Sequence, residues 1–339
     1  MTTRFRLTSA LKTGQTMQIE ELYDVVIIGG GPAGITAGIY SARYGLKTVL
    51  VTKYLGGHVT EAPLVDDYPG LPEIPGQDLV DRFVKHVNKY GIPVILDEAV
   101  NIYRKDPSKP VWTIRLRSGR EVQGYAVIIA VGSEKRKLGV PGEDELIGKG
   151  VSYCATCDGP LFKDKVVAVV GGGNSALISA IYLSKLASRV YLIHRREEFR
   201  AFKTYVDIAS ATPNITILKN TVVKEVIGRG KLEAIKIQNL KSEEVHEIKV
   251  DGLFVEIGLE PPVNFFKQIG LELDETGRAK VNVDRSTNLP GIYVAGDAAG
   301  GPYKYRFEQI ITAAADGAIA ADAACKYVCT VKHSLNGPA

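Results

Sequence analysis

Short apolar runs, each followed by glycines and then by helical spacing, organise this chain. Val25–Ile28 is an unbroken apolar run, the pattern of a strand buried on both faces of a parallel sheet. Gly29, Gly31 and Gly34 follow it, Ile35–Tyr44 is spaced as a helix, and Thr48–Val51 is a second apolar run. The order then repeats. Val166–Val170 predicts a strand, Gly171, Gly173 and Ala176 come next, Ser175–Leu186 predicts a helix, and Val190–Ile193 another strand. A further short run, Ile292–Ala295, ends in Gly296-Asp297, and Phe307–Tyr327 predicts a helix.

Strand, glycine turn, helix and strand in this order form a dinucleotide-binding unit. Gly29 permits the tight turn, Gly31 lets backbone approach a pyrophosphate, and Gly34 allows close packing of helix on strand. The helix N-terminus offers unpaired N–H groups to the anion. Two copies predict an α/β fold of two Rossmann-like nucleotide-binding domains, each a three-layer sandwich, one inserted into the other. The expected division is a polar extension over 1–20, a discontinuous domain over 21–137 and 264–330, an insert over 138–263, and a tail over 331–339. Gly/Pro-bearing stretches near Gly132–Pro141 and Gly258–Pro262 read as the crossings between them.

The ends of the second strands separate the ligands, because an acid there holds a ribose 2′-hydroxyl whereas arginines accept a 2′-phosphate. The second copy ends in His194-Arg195-Arg196, with Arg200 one turn on. Forked guanidinium donors suit a phosphate monoester; the alternative is a solvated basic face paired with Glu197 and Glu198. The first copy ends in Val51-Thr52-Lys53 without an acid, which leaves its ligand open.

The insert also carries CATCDGP, Cys154 to Pro160. Taken alone, it is half of a metal site, a structural crosslink or a redox pair. The chain has 339 residues but only four cysteines, too few for a disulfide scaffold, which favours a cytoplasmic protein. Net charge is +4 with no long basic run, so nucleic acid is not expected as a partner. No apolar segment approaches the roughly 18 residues of a membrane span. Cys325 and Cys329 stand at i, i+4 on the last predicted helix. They are open to reading as small packed residues, a second redox pair or part of a zinc site.

From Tyr23 to about Tyr327 the chain resembles the low-molecular-weight thioredoxin reductases. The resemblance is carried by GGGPAG (29–34), the segment Gly56–Thr60, DDYPG (66–70), CATCDG (154–159), GGGNSA (171–176), HRREEFRA (194–201) and AGD (295–297). It implies FAD in the discontinuous domain, at Gly29, Gly31, Pro32, Ala33, Gly34, Gly57, His58, Asp67, Ala130, Gly132, Gly296, Asp297 and Gln309. It implies NADPH in the insert, at Gly171, Gly173, Asn174, Ser175, Ala176, His194, Arg195, Arg196 and Arg200. It further implies a homodimer that reduces thioredoxin or a glutaredoxin-like protein. Cys154 would exchange with that partner, Cys157 would lie nearer the flavin, and Asp158 would carry the proton; Asp158 also suits a turn before Gly159-Pro160. An insert that swings about its two crossings would let one flavin serve both partners.

Several positions depart from the family pattern. His58 replaces a frequent glutamine and Asp67 a frequent asparagine. Ile178-Ser179 stands where acids are common, and Phe307-Glu308-Gln309 replaces a Tyr-Arg-Gln sequence, with Arg306 as the substitute arginine. Rival readings are a ferredoxin/flavodoxin–NADP reductase, which lacks C-x-x-C, and a peroxide-linked reductase, whose additional N-terminal domain finds no room before the first strand. A flavin-bearing redox sensor is the non-enzymatic alternative.

Overall fold

A computed structural model describes residues 22–62, 64–301 and 307–336. The expected extension over 1–20 and Arg306 lie outside the described residues. The chain divides into two compact units, one formed by residues up to Ser133 together with those from Pro261, the other by Glu134–Glu260.

The first unit opens with strand β1 (Leu22–Gly30), helix α1 (Pro32–Arg43) and strand β2 (Thr48–Leu55). Helix α2 (Gly76–Lys89) leads to β3 (Val94–Leu96), and β4 (Ala99–Tyr103), β5 (Trp112–Leu116) and β6 (Glu121–Ile129) follow as a meander. The sheet order is β3-β2-β1-β6-β5-β4. β1 runs parallel to both β2 and β6, with Ile28 opposite Val51 on one side and Ile129 on the other. Alternate residues point to opposite faces of a strand. Val25, Ile27 and Leu50 therefore pack with Ile35 of α1 and Leu79 of α2, while Val26, Ile28, Val49 and Val51 face the side of Trp112.

The second unit begins with β7 (Glu134–Lys135), β8 (Val151–Ser152) and the short helix α3 (Ala155–Asp158). Then come β9 (Val166–Gly171), α4 (Asn174–Ser184), β10 (Arg189–Ile193), α5 (Lys203–Ala211) and β11 (Ile215–Leu218). An antiparallel sheet of β12 (Thr221–Ile227), β13 (Ala234–Asn239) and β14 (Val245–Lys249) precedes β15 (Gly252–Glu256) and β16 (Leu259–Glu260). The main sheet, ordered β11-β10-β9-β15-β8, is parallel throughout. One face packs Val167, Val169 and Phe254 on Leu177 and Leu183 of α4; the other packs Ala168, Val170 and Leu253 on Val223 and Ile235 of the antiparallel sheet.

β7 and β16 pair antiparallel, Lys135 with Leu259 and Glu134 with Glu260, and Arg136 Nε donates to Glu260 Oε2 at 3.2 Å. After them α6 (Val263–Gln268) and β17 (Ala279–Lys280) lead to β18 (Ile292–Val294), β19 (Ala299–Gly300) and α7 (Ile310–Asn336). β18 joins the first sheet beside β6, with Val294 opposite Ile129. The segment 331–336, expected as tail, continues α7 because the next helix breakers are Gly337 and Pro338. Lys332 there pairs with Asp24 at 2.7 Å.

Candidate functional site

In the first unit the glycines do steric work at the end of β1. A Cβ on Gly29, whose φ is +114°, would lie 2.2 Å from the Ala130 carbonyl oxygen, and one on Gly34 would lie 1.9 Å from that of Gly29. Such approaches exclude any side chain and hold α1 against the strand. A Cβ on Gly31 or Gly132 would meet nothing within 4 Å, so backbone there is open to a ligand. Pro32 opens α1 at a position whose N–H needs no partner inside the helix. Gly57 comes up beside Gly31, a Cβ on it reaching 3.3 Å from the Gly31 Cα; a Cβ on Gly296 would come 3.1 Å from that of Ala33. Four segments distant in sequence thus converge on the N-terminus of α1, a glycine cradle where backbone N–H groups without helical partners can receive an anion.

Asp297 follows Gly296 at that cradle. Burial, then the nearby Glu308 carboxylate, pushes its carboxyl up to about 6, with Arg278 opposing. Gln309 stands just before α7, and its N–H donates to Thr312 Oγ1 at 3.1 Å. His58 is half-buried on a 3-10 turn over Gly57–Glu61, whereas Asp67 is exposed.

The second unit repeats the cradle. A Cβ on Gly171 would lie 2.2 Å from Glu256 O and 2.6 Å from Ala176 Cβ, while Gly173 is open. Asn174 begins α4, and its Oδ1 accepts the Phe202 N–H at 2.8 Å; the Arg200 N–H donates to Gly172 O at 2.8 Å. The arginine loop is therefore laced to the glycine turn, with Ser175 and Ala176 in the first turn of α4. His194 is buried, stacks on Phe199 at 4.8 Å and contacts the Glu198 carbonyl oxygen through Nε2 at 2.9 Å. Burial, with Arg196 and Arg200, lowers its pKa. It reads as a packed strut under the loop.

Arg195, Arg196 and Arg200 are all exposed. The alternative in which Glu197 and Glu198 neutralise them is not what the structure shows. Glu197 is taken by Lys241 Nζ at 2.5 Å and Asn220 Nδ2 at 2.8 Å, which bring its pKa down to about 2. None of the three guanidiniums is ion-paired with a carboxylate among the described residues. Lys241 and Asn220 went unnoticed in the sequence because nothing links their positions to residue 197 before the chain folds.

Cys154 and Cys157 are joined as a disulfide across the first turn of α3, their Cα atoms 5.4 Å apart. Cys154 is half-buried and Cys157 exposed. The Cys157 N–H donates to Cys154 Sγ at 3.2 Å, and Thr156 Oγ1 lies 3.5 Å from the same sulfur. Ser152 ties the turn together: its hydroxyl donates to Asp158 Oδ2 at 2.8 Å and accepts the Cys154 N–H at 3.0 Å. Sequence reasoning missed Ser152 and Thr156, although hydroxyl residues flanking a C-x-x-C are natural donors. Just upstream, the Tyr153 hydroxyl donates to Glu143 Oε1 at 2.7 Å.

The departures from the family pattern resolve locally. Ser179 is buried and its hydroxyl donates to Glu256 Oε1 at 3.0 Å, so an acid does approach this helix, from β15. Ile178 is exposed. Glu308 pairs with Arg278, an arginine the sequence reading did not single out. Cys325 is half-buried and Cys329 exposed on α7, both as free thiols, and burial chiefly raises the Cys325 pKa. Among the described residues no three His, Cys, Asp or Glu side chains are grouped to hold a metal, and no helix is long and apolar enough to cross a membrane.

The family model for pyridine nucleotide-disulphide oxidoreductases matches residues 23–317. A thioredoxin reductase of Listeria innocua is 37% identical over 94% of this chain and 98% of its own. That of Bacillus subtilis is 37% identical over 94% of this chain and 99% of its own. Among solved structures, Lactococcus lactis thioredoxin reductase matches with a TM-score of 0.80 at 35% identity, covering 91% of this chain and 99% of that one. The enzyme from T. acidophilum matches with a TM-score of 0.77 at 36% identity, covering 91% and 99% respectively.

Proposed function

Since the chain belongs to the pyridine nucleotide-disulphide oxidoreductase family, with thioredoxin reductases as relatives along nearly its whole length, we propose that it is an NADPH-dependent flavoprotein reducing the disulfide of thioredoxin or a similar small redox protein. One observation carries the reading: a disulfide sits on a turn that presents an N–H to one sulfur, and the same turn holds a carboxylate, Asp158, hydrogen-bonded to Ser152. When bound, NADPH supplies a hydride and FAD the two-electron relay that reduces this pair. The fit of both ligands rests on the two glycine cradles, open at Gly31 and Gly173. Arg195, Arg196 and Arg200, none ion-paired with a carboxylate among the described residues, favour the 2′-phosphate of NADPH over NADH.

The reduced pair then exchanges with the partner. An N–H aimed at Cys154 Sγ favours the thiolate there, so Cys154 attacks one sulfur of the partner's disulfide and releases the other as a thiolate. Asp158, steadied by Ser152, is placed to return a proton to it. Cys157 next attacks Cys154 Sγ, which frees the second partner sulfur and restores the Cys154–Cys157 disulfide. Two electrons and two protons leave with the reduced partner. A thioredoxin couple near about −270 mV suits such a donor. We place the enzyme in the cytoplasm as a homodimer, in keeping with its sparse cysteines and its family.

Stepwise NADPH addition to the flavin-loaded protein, followed by oxidised thioredoxin, tests this. The flavin absorbance bleaches and then returns. Cys154→Ser and Cys157→Ser retain bleaching but lose turnover; either variant reducing thioredoxin at the wild-type rate refutes the assignment.

A further inference from the structure

The turn Gly296-Asp297 is gripped from both sides. On one side, Asp316 of α7 accepts the Gly296 N–H through Oδ2 at 3.2 Å, and its Oδ1 pairs with Arg285 at 2.6 Å. Both of these side chains are only 18% exposed. On the other side, Arg278 donates from Nε to the Asp297 carbonyl oxygen at 2.8 Å, and its terminal nitrogen pairs with Glu308. The Arg278 side chain is 11% exposed. Each peptide end of the turn is thus bonded to one member of an ion pair whose other member comes from a different segment.

The supports are themselves anchored. Arg285 adopts a left-handed backbone, φ +68°, that a side-chain-bearing residue seldom takes; its N–H donates to Asn282 O at 3.0 Å and its carbonyl accepts the Val294 N–H at 3.0 Å. Arg278 closes a tight turn in which Asp274 Oδ1 accepts from the Thr276 N–H at 2.7 Å and the Arg278 N–H at 3.2 Å. Strained or over-determined backbone of this kind collects where geometry must be held. A Cβ on Gly300 would lie 2.3 Å from Asp274 Oδ2, so the strand after the turn also fits closely against this support.

We propose that Arg278–Glu308 and Arg285–Asp316 are paired positioning residues that fix the Gly296–Asp297 turn against the first cradle and so set how firmly this chain retains its flavin, an inference that rests on the FAD assignment above. Glu308 is integral to the device: Arg278 pairs with it from another segment. Arg278 and Asp316 act through the peptide groups of the turn.

The test is the rate of FAD release from the purified holoenzyme, followed by flavin fluorescence, together with the visible spectrum of the bound flavin. Arg278→Met loses both the carbonyl bond and the pair and releases FAD on the order of tenfold faster or more. Arg278→Lys keeps the charge toward Glu308 and restores part of the retention. Glu308→Gln, at a half-exposed position that folding tolerates, gives a smaller acceleration of about two- to fivefold. In the Arg278→Met/Glu308→Gln double variant the two effects fail to multiply, as expected of one unit. Release at the wild-type rate from Arg278→Met and Asp316→Asn, with the wild type holding FAD, overturns the clamp. A wild-type protein that takes up no flavin overturns the FAD assignment instead.

Discussion

Removing the Glu143 carboxylate should loosen the opening segment of the second unit. Glu143 is 2% exposed. Its Oε1 accepts the Leu138 N–H at 2.9 Å and the Tyr153 hydroxyl at 2.7 Å, and its Oε2 accepts the Gly139 N–H at 2.7 Å. Burial, reinforced by Glu143, raises the Tyr153 pKa. Glu143→Ala orphans three donors, each costing about 1–3 kcal/mol if water cannot reach it. Gly139 is exposed and the other two residues half-buried, so water repays part, and a net cost of about 3 kcal/mol follows. At about 1.4 kcal/mol per tenfold, amide hydrogen exchange at Leu138 and Gly139 should quicken by roughly a hundredfold. Glu143→Gln retains one acceptor oxygen but turns an amide toward a donor, and should quicken it by about tenfold. Amides of β9 serve as the internal reference. Exchange at 138 and 139 within twofold of wild type in Glu143→Ala would show that the carboxylate does not hold this segment.

Ser152→Ala unties Asp158 and the Cys154 N–H together; turnover with thioredoxin should fall about tenfold, equivalent to about 1.4 kcal/mol in the barrier, with KM for NADPH unchanged, and an unaltered rate would remove Ser152 from the mechanism. Asp297 is raised to about 6 by burial and by Glu308 and Asp316. An acid whose folded pKa exceeds its unfolded one disfavours folding once ionised, so stability of the apoprotein is greatest below about pH 4 as far as this group goes. It declines by about 2–3 kcal/mol as pH rises through 6. Asp297→Asn should flatten that decline in urea titrations followed by Trp112, the single tryptophan, which lies in the first unit; an unchanged slope would refute it.

The two strand–glycine–helix units were legible because each is local: Val25 to Val51 and Val166 to Ile193 carry their strands, turns and helices in continuous stretches. Helix limits were harder, since the predicted Ile35–Tyr44 begins in fact at Pro32, which supplies a helix start as well as a loop residue. The Cys154–Cys157 pair stood out by its spacing, but its role came from the resemblance of CATCDG and its companion motifs to a known family. The pair's partner Ser152 was not legible, because the bond depends on how β8 delivers the turn. Arg278, Arg285 and Asp316 were invisible for a stronger reason: they meet Gly296-Asp297 only after segments distant in sequence have folded together, and no periodicity records such a meeting.

The sheet of the first unit has a consequence for synthesis on the ribosome. Val127–Ile129 of β6 pair with β18, and the whole of the second unit is encoded between them. At roughly 5–20 residues per second, the edge of that half-strand turned away from β1 waits on the order of ten seconds with its amides and carbonyls bare, while the inserted unit can already close. The nascent chain therefore presents a sticky parallel edge late in its own translation, and any slowing of elongation lengthens the interval in which a neighbouring chain could claim it.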